Sequence, residues 1–77
     1  MKHELPATVE NEEALLGAIL SDSSVLTDVI DIVHTDDFYS ASNATIYQSC
    51  LNLFDKGGII DIVTVSDELT RMGKDKK

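Results

Sequence analysis

The sequence predicts an all-α fold, a small compact bundle of about four short helices in orthogonal-type packing. Three observations lead there. Apolar residues recur at helical spacing in four segments, most clearly at Ile46, Tyr47, Cys50, Leu51, Leu53 and Phe54. Cap and turn residues separate those segments at short intervals. The single β-prone run, Ile59–Val63, has no second strand with which to form a sheet.

The first helix is expected to start at a Thr8 N-cap. Glu10, Glu12 and Glu13 follow in its first turns, where the helix dipole favours acids. Val9, Leu15, Leu16, Ile19 and Leu20 form its apolar stripe. Gly17 interrupts it at a cost of about 1 kcal/mol relative to Ala, and close approach by another helix is the expected reason. Ser21-Asp22-Ser23-Ser24 breaks the pattern. A second helix is expected over Val25–Val33, with Val25, Leu26, Val29, Ile30, Ile32 and Val33 inward and Asp28 and Asp31 on the opposite side. His34-Thr35-Asp36-Asp37 ends it, and Phe38-Tyr39 supplies a bulky plug.

The third helix is expected from a Ser40 or Ser42 cap to about Asp55. Gly57 is suited to a left-handed C-cap. Ile59–Val63 reads as an extended connector that packs its apolar side chains. Thr64, with Asp67 at N3, reads as the cap of a fourth helix. Val65, Leu69 and Met72 mark its buried stripe, and Gly73 closes it.

Size and charge bound the function. Seventy-seven residues fit one domain and are too few for a nucleotide-hydrolysing fold. A core this small rarely supplies more than about 3–5 kcal/mol. Fourteen acids oppose six Lys and Arg, for a net charge of −8. Residues 1–69 carry Lys2 and Lys56 against thirteen acids, whereas residues 70–77 are basic. An acidic body opposes direct grip on nucleic acid and on anionic membranes. No apolar run spans a bilayer, and Met1–Pro6 lacks the apolar core of a signal peptide. A cytoplasmic location is therefore expected.

The chain offers little chemistry. Cys50 is the sole cysteine, so no internal disulfide forms, and His3 and His34 make no zinc spacing. No phosphate loop exists, because Gly57-Gly58 runs into Ile59-Ile60. Asp55–Asp61 fails the calcium-loop pattern. Cys50 sits on an apolar stripe and reads as an inert core thiol. His34 ends a helix where a cation suits the dipole, a blander account than a pH switch. Neither catalytic residues, nor cofactor, nor metal are expected, and the residues alone point to a helical interaction module.

The residues do carry a resemblance. Leu5–Leu20, reading LPATVENEEALLGAIL, resembles the opening of bacterial and phage replicative DNA helicases of the DnaB type, P-x-[ST]-[IV]-E-A-E-x-[AS]-[VL]-L-G-[AS]-[LI]-L. Asp36-Asp37-Phe38-Tyr39 is similar to their E-D-F-Y segment, and Ile46-Tyr47 to the I-[FY] pair after it. Asp61–Val65 is similar to V-D-x-V-T-[VL], continued by Asp67-Glu68-Leu69. These segments keep the family's order across residues 5–73. Asn43 stands where the family usually has His, Ala41 where Pro is common, and Asn11 where Ala is usual.

The resemblance implies a non-catalytic collar domain over residues 1–73, truncated C-terminally, with a basic tail at 74–77. The family's pairing hairpin and ATPase motor would follow, and nothing of them is carried over. It implies partners: primase, other helicase subunits through self-association, and a helicase loader. Val9, Leu15, Leu16, Ile19, Ile46, Cys50, Leu51, Phe54 and Leu69 are the expected core. Asp28, Asp31, Asp36 and Asp37 are the candidates for protein contacts. The alternatives are a free-standing acidic phage or decayed-gene protein that binds a helicase or primase, and a DNA mimic.

Overall fold

The computed structural model describes residues 6–75, with side chains described from Thr8 to Gly73. Four helices and one 3-10 turn follow in order: α1 (Pro6–Ser21), α2 (Ser24–Val29), the turn Thr35–Asp37, α3 (Ala41–Asp55) and α4 (Ile62–Asp75). No strand occurs among the described residues. The all-α bundle expected from the periodicity is the fold.

Helix α1 starts two residues before the predicted Thr8 cap. Pro6 suits a first turn, because its fixed φ is already helical and its missing N–H had no partner to lose. Gly17 is exposed, and a Cβ there would meet nothing within 4 Å. No helix approaches it, so the expected packing role is corrected to none. At the α1–α2 corner the Asp22 carboxylate accepts from the Ser24 amide (3.1 Å) and hydroxyl (2.7 Å). These bonds hold its pKa below the usual carboxylate value.

Helix α2 is six residues long and stops at Val29, four residues before the predicted end. The Val29 carbonyl instead accepts from Ile32 (2.9 Å) and Val33 (2.8 Å), closing a turn. β-branched residues dominate Val29–Val33 and gain little from continuing a helix. The apolar stripe survives the break: Leu26 is fully buried, and Val25, Val29 and Val33 pack against the core. Ile32 turns outward. The next turn is held by the Asp37 carboxylate, which accepts from the His34 amide at 2.8 Å. Phe38 behind it is buried, whereas Tyr39 is 42% exposed, so only the phenylalanine acts as a plug.

Helix α3 is the hub, packing on α4, the 3-10 turn and α1. Ser40 caps it, accepting from the Asn43 amide at 3.2 Å. Gly57 at φ 70° ends it. The Gly58 amide reaches the Leu53 carbonyl and the Gly57 amide that of Phe54, both at 3.0 Å, the pairing of a Schellman close. Tyr47 lies at the centre, fully buried, with its ring centroid 4.9 Å from that of Phe38. Its hydroxyl donates to the Val33 carbonyl at 2.7 Å, satisfying a group freed where α2 stopped. Leu16, Ile19, Leu26, Cys50, Ile60 and Val65 complete the core. Leu15, Ile46, Leu51 and Leu69 pack around it as expected, but Phe54 is 40% exposed.

Helix α4 also begins earlier than predicted. Asp61, rather than Thr64, is the capping residue. Its carboxylate accepts from the Thr64 amide, while the Thr64 hydroxyl accepts from the Asp61 amide, both at 2.9 Å. Asp at the first position and Thr at the fourth reproduce a reciprocal box with the residue types exchanged. Ile62 and Val63 are thus helical and exposed, and of the predicted connector only Ile60 buries its side chain. Gly73 does not close α4, which runs to Asp75.

Candidate protein-interaction surface

The four aspartates chosen from the sequence are all exposed. Asp28 lies on α2 and Asp31 in the turn after it. Asp36 and Asp37 lie on the 3-10 turn. Asp37 is engaged in the turn, since it holds the His34 amide and stands 3.7 Å from the His34 ring. No group of three or more His, Cys, Asp or Glu among the described residues could hold a metal. Cys50 is fully buried, and burial pushes its thiol pKa up, away from the reactive thiolate.

Two acids missed in the sequence have defined structural work. Glu12 projects from α1 to the N-terminus of α3. Its carboxylate accepts from the Tyr39 amide, the Ser40 amide (3.3 Å) and the buried Asn43 side chain (3.2 Å). A carboxylate at a helix N-terminus also meets the positive end of the dipole. Glu12 falls on the same helical stripe as Val9, Leu16 and Ile19, the signal that could have distinguished it from solvated acids.

Glu68 of α4 is only 4% exposed. It meets Lys56 Nζ at 3.0 Å, Asn52 Nδ2 at 3.0 Å and the Arg71 guanidinium at 3.3 Å. The Lys56 and Asn52 bonds, with Arg71 behind them, hold its pKa below the usual glutamate value. It too lies within an apolar stripe, between Val65 and Leu69.

Two surface features remain available for contacts. An open groove of about 270 Å³ runs between α1 and the 3-10 turn. Leu15, Val33 and Phe38 floor it, and Glu12 and Asp37 stand at its walls. The second feature is apolar: Ile59, Ile62 and Val63, at the start of α4, are 72%, 68% and 65% exposed. Three large aliphatic side chains thus lie exposed within five residues of sequence. No described helix is long and apolar enough to cross a membrane.

Comparison with known proteins agrees with the motifs. The model of the DnaB-like helicase N terminal domain family matches residues 4–77. The replicative DNA helicase DnaC of Bacillus subtilis is 44% identical over 64 residues, 83% of this chain and 14% of the helicase. The replicative DNA helicase DnaB of Geobacillus stearothermophilus is 38% identical with the same coverage. That of Leifsonia xyli is 35% identical over 63 residues, 82% of this chain and again 14% of the helicase. The chain therefore spans about one-seventh of the length of these relatives. No solved structure matches.

Proposed function

Because this chain belongs to the DnaB-like helicase N-terminal domain family, we propose that it acts as a non-catalytic, cytoplasmic scaffold at the replication fork. In this reading it supports hexamer assembly and docks primase, with a helicase loader as a further partner. The parent protein would be an ATP-dependent DNA helicase whose motor lies outside these residues. The family match over residues 4–77 carries the reading. The exposed apolar start of α4 supports it, since a surface of this kind is stabilised by a protein partner. The acidic surface supports it too, with Asp28, Asp31, Asp36 and Asp37 as the contact residues for a basic partner face.

The test is direct binding of the chain to the primase and helicase from its own source. The scaffold reading expects association with at least one of them at about 10–50 µM or tighter, the weak end of specific binding. Binding to neither would refute a docking role. The pure chain is expected to hydrolyse no ATP, and hydrolysis would overturn the non-catalytic reading.

A further inference from the structure

We propose that the cleft between the α1–α2 corner and the α3–α4 loop docks an amphipathic segment of a partner protein, an apolar anchor residue with a Lys or Arg beside it. This rests on the docking function proposed above and names the partner's chemistry, at a place apart from the α1 groove and the start of α4.

Four observations combine. The first is shape. The cleft, about 370 Å³, is lined by Asp22, Ser23 and Thr27 from the corner and α2, and by Phe54, Gly58 and Ile60 from α3 and its loop. Its volume lies within the roughly 300–1,000 Å³ of binding sites, yet of these residues only Ile60 is buried. A cleft this shallow suits side chains presented by a protein rather than an enclosed small molecule. The second is Phe54. It continues the apolar stripe of α3 but is 40% exposed, and with Ile60 it supplies an apolar bed. Aromatic side chains are enriched among the residues that carry interface energy. The third is Gly58. It lacks the left-handed φ of Gly57, and a Cβ there would meet only the Leu53 carbonyl, at an ordinary 3.7 Å. The backbone does not require glycine at 58, and the missing side chain leaves the cleft open. The fourth is charge complementarity. Asp22 Oδ1 accepts from the Ser24 amide and hydroxyl, which holds the carboxylate in place, and Oδ2 bonds to no described residue. Asp28 follows Thr27 and Asp55 follows Phe54, both exposed. No Lys or Arg lines the cleft, and Lys56 of the same loop is held by Glu68 at 3.0 Å. Such a surface selects a basic partner. The apolar anchor would cover Phe54 and Ile60, and the head of the neighbouring Lys or Arg would meet Asp22 while its stem lies on the bed.

The probe is a phage-displayed library of short random peptides, selected on the immobilised chain. The enriched peptides are expected to place a Leu, Phe or Trp beside an Arg or Lys. Titrated into ¹⁵N-labelled chain, they are expected to shift amides centred on Ser23, Thr27, Phe54 and Gly58. Asp22→Asn gives the decisive variant. It keeps an oxygen for Ser24 and a residue type that caps as well as Asp, and it is expected to weaken the peptides about fivefold or more. Glu10→Gln makes the same change in net charge about 18 Å away along α1 and is expected to weaken them less than about twofold. Thr27→Arg, at an exposed position in α2, sets a cation of the chain itself at the cleft and is expected to weaken them about tenfold. Ser23→Arg, also exposed and with no side-chain cap bond, replaces it if that variant loses its dispersed spectrum.

Equal weakening by Asp22→Asn and Glu10→Gln would overturn the proposal in favour of diffuse attraction to an acidic body. So would enriched peptides without basic residues, shifts centred on Ile62 and Val63 or on Leu15 and Phe38, or no enrichment at all. The failures are separable. If primase binds the chain and Thr27→Arg leaves that affinity unchanged, the cleft reading falls and the docking function stands. If neither primase nor helicase binds, the docking function falls, and the peptide selection still judges the cleft.

Discussion

Removing the Glu12 carboxylate is expected to cost this domain most of its stability. The side chain joins α1 to the N-terminus of α3 through three donors: Tyr39 N, Ser40 N and Asn43 Nδ2. Hydrogen bonds to a charged group are each worth about 1.5–3 kcal/mol net. They do not simply add here, because the Tyr39 and Ser40 amides lie near the surface and water can replace the carboxylate. Asn43 is only 4% exposed and cannot rehydrate so readily. Leaving its amide without an acceptor costs about 1–3 kcal/mol. Taken together, Glu12→Ala should lose about 2–4 kcal/mol. Against a total of about 3–5 kcal/mol for a core of this size, that leaves a barely folded chain. Glu12→Gln keeps one carbonyl oxygen and should lose about 1–2 kcal/mol, since the two carboxylate oxygens serve different donors. Urea unfolding followed by helical circular dichroism reads both. With a slope near 1 kcal/mol/M, the midpoint should fall by about 2–4 M for Ala and half that for Gln. Glu13→Ala, one residue on and exposed, should stay within about 0.5 kcal/mol of the parent. The reasoning is refuted if Glu12→Ala is as mild as Glu13→Ala.

The remaining predictions concern other parts of the fold. Leu26 is fully buried, so Leu26→Ala should cost about 2–5 kcal/mol, enough to leave the chain largely unfolded by circular dichroism. The two glycine extremes should move in opposite directions on a thermal melt. Gly17→Ala fills open space on an exposed helical turn and should gain about 0.5–1 kcal/mol, whereas Gly57→Ala forces a side chain to φ 70° and should lose about 1 kcal/mol. Glu68 gives a pH signature. Its pKa is lowered in the folded state, so its contribution is fully present above the unfolded glutamate value and is lost as pH falls through the folded one. Melting temperature should therefore drop on acidification below about pH 4.5, and Glu68→Gln should flatten that part of the profile; an unchanged profile would remove Glu68 as its source.

What could be read from the residues depended on how local the cause was. The ends of α3 were legible because Ser40 and Gly57 act within one turn of the backbone they cap. The stripe of α2 was legible, but its length was not. Apolar spacing reports which side chains face the core, and Val33 faces it from a turn as well as from a helix. The start of α4 was misplaced because Ile62 and Val63 look like residues that need burial, yet they lie exposed in its first turn. The box formed by Asp61 and Thr64 also reverses the usual residue order. Gly17 was given a neighbour it does not have, since a costly residue invites a reason. The exposure of Asp28 follows from helical phase, whereas Asp31 is exposed in the turn after α2. The groove could not be foreseen, because α1 and the 3-10 turn meet only through the fold, and Glu12 was read only as a helix-dipole acid although it lies on an apolar stripe, as does the buried Glu68.

The most direct test of the scaffold account is a chimera. Residues 4–77 would replace the matched N-terminal segment of the Bacillus subtilis replicative helicase, to which the chain is 44% identical. The account predicts that the chimera assembles into rings of the parent's mass by light scattering and unwinds forked DNA with ATP. A chimera with native helical content that remains as small unassembled species would contradict it.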